Sequence, residues 1–198
     1  MPQAGAHRRR RSLQGGALFL ASLLRCAPAG ADLSEQLDYR YYEVPMHGGA
    51  SLRELLNRAS PVRVNGGIFH AYTQWNVHWH YQYARQNDGR CGIDSVRTEL
   101  TATMTLPAPS DPAIARNPVF VSYLAALKRH EQGHYEIGRR AATAIDAGIL
   151  GLAARDRCDT LGAAADALAN ARIAEARDIE QRYDRDTGSG RTQGAKLE

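Results

Sequence analysis

"LKRHEQGHYEIGRRAA", residues 127–142, decides how the rest of the chain is read. On a helix, positions i and i+4 lie one turn apart on nearly the same side, so His130 and His134 can hold one ion together. Glu131, one position after the first histidine, stands beside that ion as a general base, taking a proton from a water that attacks a carbonyl. Gly133 lets another segment come close to the helix. With seven histidines in 198 residues, His-Glu-x-x-His arises in roughly one shuffled sequence in a hundred. The competing reading is two hydrogen-bonded core histidines with Glu131 and Glu136 as solvated charges.

Working outward, Tyr123, Leu127, His130, His134, Ile137, Ala141 and Ile145 recur at helical spacing, which predicts a helix from Pro118 to about Leu150 with both histidines facing the interior. Upstream the period changes to two. Trp75, Val77, Trp79, Tyr81 and Tyr83 alternate with Asn76, His78, His80 and Gln82. After the turn signal Asn87-Asp88-Gly89, Thr98, Leu100, Ala102, Met104 and Leu106 alternate with Glu99, Thr101, Thr103 and Thr105. This predicts a long antiparallel hairpin. Residues 38–44 are β-prone, and Ser51 with Glu54 forms a capping box for a short helix carrying Leu52, Leu55 and Leu56. An Ala-rich helix follows from Cys158 to about Tyr183, and the polar, Gly-rich last ten or so residues read as a flexible tail. The expectation is an α+β domain over residues 32–198, zincin-like, with an N-terminal antiparallel sheet preceding a two-helix antiparallel layer.

A catalytic zinc needs a third protein ligand. A helical hairpin turning near residue 154 brings residues 175–178 level with the histidines. Glu175 then becomes the candidate, because it falls with Arg172 in the stripe Leu161, Ala165, Leu168, Ala176 and Ile179. An Arg172–Glu175 ion pair at i, i+3 spacing is the other account. His78 and His80 share a strand face and could chelate, but they look outward if the tryptophan face is the core. Ile137 and Arg140 stand where metzincins need glycine and histidine.

Residues 1–31 read as a signal peptide. Arg8 to Arg11 form a charged region, Leu13 to Leu24 an apolar run too short to span a bilayer, and Ala29-Gly30-Ala31 a cleavage pattern. Cys26 follows Arg25, which does not suit a lipidation site. This segment holds five arginines and no acid, so the remaining 20 basic residues face 21 acidic ones. Neither a nucleic-acid footprint nor, after signal removal, a membrane partner is implied. Cys91 and Cys158 remain for an oxidising compartment, secreted or periplasmic, where one disulfide is expected.

The chain resembles a bacterial family catalogued as domain of unknown function 922, whose members look like secreted Zn-dependent proteases. The matching residues are Trp75, Trp79, Cys91, Leu106-Pro107, His130, Glu131, Gly133, His134 and Cys158. The closing motif adds Tyr183, Asp184, Thr187, Gly190, Thr192, Gln193 and Gly194. Ser189 stands where that motif has a histidine. If the histidine is the family's third ligand, a site here must recruit Asp184, Glu175 or an additional water. If instead that histidine only polarises the substrate, catalysis falls while metal binding survives, and Tyr183 can still donate a hydrogen bond to a developing oxyanion. The function expected is a zinc-dependent peptidase acting on a protein or peptide, with His130 and His134 on the metal. The alternatives are a non-catalytic envelope protein with a weakened metal site, and a zinc-dependent hydrolase of cell-wall amide bonds.

Overall fold

A computed structural model describes residues 31–64 and 66–197. The signal-peptide expectation, with Arg8 to Arg11 and Cys26, lies outside the described residues, apart from Ala31. The chain runs through strand β1 (Ala31–Val44), helix α1 (Leu52–Ala59), the short strands β2 (Arg63–Val64) and β3 (Gly67–Ile68), and the long strands β4 (Tyr72–Arg85) and β5 (Cys91–Pro109). Helices α2 (Pro112–Ala115), α3 (Pro118–Leu150) and α4 (Cys158–Thr187) follow, then a 3-10 turn, Arg191–Gln193.

The expected hairpin is present: β4 and β5 pair antiparallel, Val77 opposite Leu100 and Trp75 opposite Ala102. The expectation of a purely antiparallel sheet is corrected. β1 runs parallel to β5, Leu37 opposite Ala102, and the three-stranded sheet has the order β1-β5-β4. Hydrophobic alternation specifies which face a strand buries and carries no information on its direction. The parallel arrangement requires a long crossover, and here α1, the β2–β3 ribbon and β4 all lie between the paired strands.

One face of the sheet is covered. Val96, Thr98, Leu100, Ala102, Met104 and Leu106 of β5 are buried beneath α3, while His78 and His80 are exposed on the opposite face as expected. Each fully buried aliphatic side chain contributes roughly 1.5–3 kcal/mol. Near the start of α3, Phe120, Leu56, Leu106 and Ile114 form one core; further along, Ile145, Ile149, Ala165 and Ala169 join Val77, Val96 and Leu100 in a second. Gly138 allows this packing, because a Cβ there would lie 2.7 Å from the Trp75 ring.

The helices begin and end where local chemistry puts them. The Asn117 side chain accepts from the amides of Val119 and Phe120, with Pro118 in the first turn of α3. The Ser51–Glu54 capping box is formed. α4 continues one turn past Tyr183 and stops at Gly188, whose φ of 56° is left-handed. The expected disulfide Cys91–Cys158 ties the start of β5 to the start of α4. Between the helices, Arg155 and Cys91 exchange backbone hydrogen bonds, so the connector is drawn toward β5 before α4 begins.

The closing segment, read from composition as a flexible tail, is packed. Ala195 and Leu197 are buried in the first core, and the Leu197 carbonyl accepts from Arg53. No helix among the described residues is long and apolar enough to cross a membrane.

Candidate metal centre

α3 and α4 lie side by side with their chains opposed, and both present i, i+4 pairs to the seam: His130 and His134 from α3, Glu180 and Asp184 from α4. The Nε2 atoms of the two histidines are 3.3 Å apart. Asp184 Oδ1 lies 3.1 Å from the first and 3.0 Å from the second. Three ligand atoms held about 2.0–2.1 Å from a tetrahedral ion stand roughly 3.3 Å from one another, so the spacing fits a zinc-sized cation. His130, His134 and Asp184 thus form a group that could hold a metal ion.

The outer hydrogen bonds agree with that fit. His130 Nδ1 faces Gln193 Oε1 at 3.0 Å, and His134 Nδ1 faces Glu180 Oε1 at 3.3 Å. Both partners are acceptors, which places the ring protons on Nδ1 and turns both Nε2 lone pairs toward the Asp184 carboxylate. Glu180 is itself fixed by the Trp75 indole, which donates to it at 2.7 Å. Three acceptor atoms converging on one point call for a positive charge between them.

Protonation responds to the same demand. Burial acts to lower the pKa of His134, but hydrogen bonds to Asp184 and Glu180 outweigh it and raise the value to about 9. Burial likewise acts to raise Asp184, and the hydrogen bonds from both imidazoles hold its carboxyl well below the usual range. A proton and a metal ion therefore compete for one place.

Glu131 is 4% exposed, and its Oε2 is buried with no hydrogen-bond partner among the described residues. Burial pushes its pKa up, against the pull of the nearby histidines. The Thr73 hydroxyl donates to the Glu131 backbone carbonyl at 3.1 Å, which ties this turn of α3 to β4.

Glu175, the third ligand expected from the sequence, stands outside the group. Its carboxylate is exposed and lies 2.8 Å from Arg172, the ion pair weighed against ligation. The physical reason is helical register. The contacts His130–Asp184 and His134–Glu180 centre roughly three residues beyond a turn at 154, because the connector detours to Cys91 before α4 starts. Ile179 is consequently 38% exposed instead of inward. Asp184, named only as a substitute ligand, takes the third place.

Tyr183 stacks on the His130 ring, with centroids 4.9 Å apart and planes 10° from parallel. Its hydroxyl donates to the His130 carbonyl at 3.1 Å and accepts from Gln193 Nε2 at 3.0 Å. The proton expected to serve an oxyanion is thus engaged with the backbone, and the side chain positions His130. Ser189 is exposed, with a φ of 53°, and lies outside the ligand group. Its amide donates to the Asp184 carbonyl at 2.8 Å, closing the end of α4.

The sequence profile of a group described as bacterial protein of unknown function (DUF922) matches residues 39–191. The chain belongs to this family. No curated protein and no solved structure matches it. The stretch matched to DUF922 spans His130, Glu131, His134, Glu180 and Asp184 and stops before Gln193. Glu180 and Gln193 were missed as supports for the rings. The available signal for Glu180 was its i, i+4 spacing from Asp184, which mirrors that of the histidines.

Proposed function

We propose that this protein is an exported zinc-dependent peptidase. One observation carries the reading: His130 Nε2, His134 Nε2 and Asp184 Oδ1 converge within 3.3 Å of one another, next to a carboxylate, Glu131, whose buried Oε2 has no hydrogen-bond partner among the described residues. Zinc in such a site supplies a Lewis acid that polarises a carbonyl and makes water acidic enough to lose a proton near neutral pH.

The chain's own groups divide the remaining work. Gln193 and Glu180 hold the two imidazoles in the orientation that presents Nε2. Glu131 accepts the proton of the attacking water and passes it to the departing amine nitrogen of the substrate. Its raised pKa brings it closer to the range in which one group can both take and return a proton. The peptide bonds of proteins and the amide cross-links of cell walls are both secondary amides at the scissile bond, so the site itself does not choose between them. The Cys91–Cys158 disulfide suits an oxidising compartment outside the cytosol.

The test is the zinc content of the purified protein, measured beside cleavage of a casein-like substrate and a Glu131→Gln control. Stoichiometric zinc and cleavage that disappears in Glu131→Gln are expected. Zinc without cleavage would leave a metal-holding envelope protein, and a protein that takes up no zinc would sink the proposal.

A further inference from the structure

A groove of about 200 Å³ runs along the seam between α3 and α4, beginning one turn from the metal centre. Its floor is apolar: Ile137, Ala141 and Ala176 are buried together, against Trp75 and Tyr183 of the site itself. Ala144 and the half-exposed Ile179 extend that floor. The rim carries Arg140, Arg172 and Glu175. Arg172 and Glu175 neutralise each other at 2.8 Å. Arg140 is exposed and has no carboxylate partner among the described residues, so the groove keeps one uncompensated positive charge above an apolar floor.

Resting on the peptidase reading, we infer that this groove is a substrate subsite that takes an apolar side chain and a free carboxylate, the carboxylate meeting Arg140. The groove floor packs against Trp75 and Tyr183, which border the metal centre, and the occupant is fixed by charge. A guanidinium over an apolar surface recognises a carboxylate through paired hydrogen bonds, and the aliphatic floor accepts the side chain beside it. Arg140 follows His134 by six positions on α3, which is about 9 Å along the axis. An extended peptide covers that distance in about three residues. The substrate is therefore a short peptide, or a chain end, whose terminal carboxylate lies two or three residues beyond the bond that is cut.

Equilibrium binding separates this inference from the peptidase reading, because it needs no turnover. Fluorescein-labelled tetrapeptides ending in leucine, as the free acid or as the amide, are titrated into the zinc-loaded Glu131→Gln protein and into the same protein carrying Arg140→Gln. The acid is expected to bind at least tenfold more tightly than the amide, and Arg140→Gln to bring the ratio close to one with zinc content and melting temperature unchanged. Equal binding of acid and amide, no binding of either at millimolar peptide, or a preference that survives Arg140→Gln would each overturn it. A dimer that Ile179→Asp converts to monomer would assign the groove to a second copy and overturn it as well. Retained discrimination by a protein that cuts nothing would sink the peptidase reading and leave the subsite standing.

Discussion

The hydroxyl of Tyr183 occupies the space that any side chain at position 133 would need: a Cβ on Gly133 would lie 2.1 Å from it. Alanine normally favours a helix interior over glycine by about 1 kcal/mol. Here the clash decides the sign, because Tyr183 is followed at once by Asp184 and any retreat of the ring moves the third member of the group that could hold a metal ion. Gly133→Ala is expected to lower zinc affinity by tenfold or more and to destabilise the fold by about 1–3 kcal/mol. Competition with a chromogenic chelator reads the first, and thermal unfolding the second.

Asp184→Ala should abolish stoichiometric zinc, whereas Glu175→Ala should leave it unchanged. Removing one of three protein ligands leaves two imidazoles, too few for a stable zinc site. Metal analysis of the two variants after dialysis against buffered zinc checks the pair. Zinc retained in Asp184→Ala and lost in Glu175→Ala would reverse the assignment.

Glu131 is costly to the fold. A buried carboxylate oxygen without a partner destabilises by roughly 1–3 kcal/mol, and Glu131 Oε2 is in that condition. In chelator-treated protein, Glu131→Gln is therefore expected to raise the melting temperature by a few degrees, and in zinc-loaded protein the same substitution is expected to eliminate hydrolysis. A variant that melts lower than the parent would show that this carboxylate stabilises the fold.

The stability of the domain should fall between pH 6.5 and 4 because of His70. Its ring is held between the Tyr123 hydroxyl and Asn57 Oδ1, each at 2.7 Å, and burial lowers its pKa from 6.5 to about 4, helped by Arg53. Above pH 6.5 the ring is neutral whether the chain is folded or not. Below that value the unfolded chain takes up a proton that the folded chain refuses until about pH 4, so stability declines through the window by up to about 3 kcal/mol. Urea unfolding at pH 7, 5.5 and 4.5 should give a shallower slope for His70→Gln than for the parent.

The sequence revealed most where chemistry and periodicity coincide within one element. His130 and His134 advertise the site through spacing alone, the tryptophan strand declares its inner face, and two surviving cysteines leave one pairing. Relations between elements were less legible. Glu175 and Asp184 both lie on α4 and both can ligate; the choice depends on where the helix begins relative to its neighbour, and that is set by the Arg155–Cys91 bridge, a backbone contact with no residue signature. The direction of β1 escaped for a related reason, since alternation is the same read from either end. The final segment was misjudged because Ala195 and Leu197 are two apolar residues in a polar, Gly-rich context, below the density that marks a core element.

That segment also fixes the order in which the site can come into being. His130 and His134 are synthesised first, yet the atom that completes the group sits on Asp184, and the amide that steadies His130 sits on Gln193. Translation must run some 60 residues beyond the first histidine before the second ring support exists, and further still before Leu197 closes the core. A growing chain thus has no complete place for a metal ion. On the proposed reading, a precursor still threading through a membrane would remain inert, and activity would begin only with the folded product.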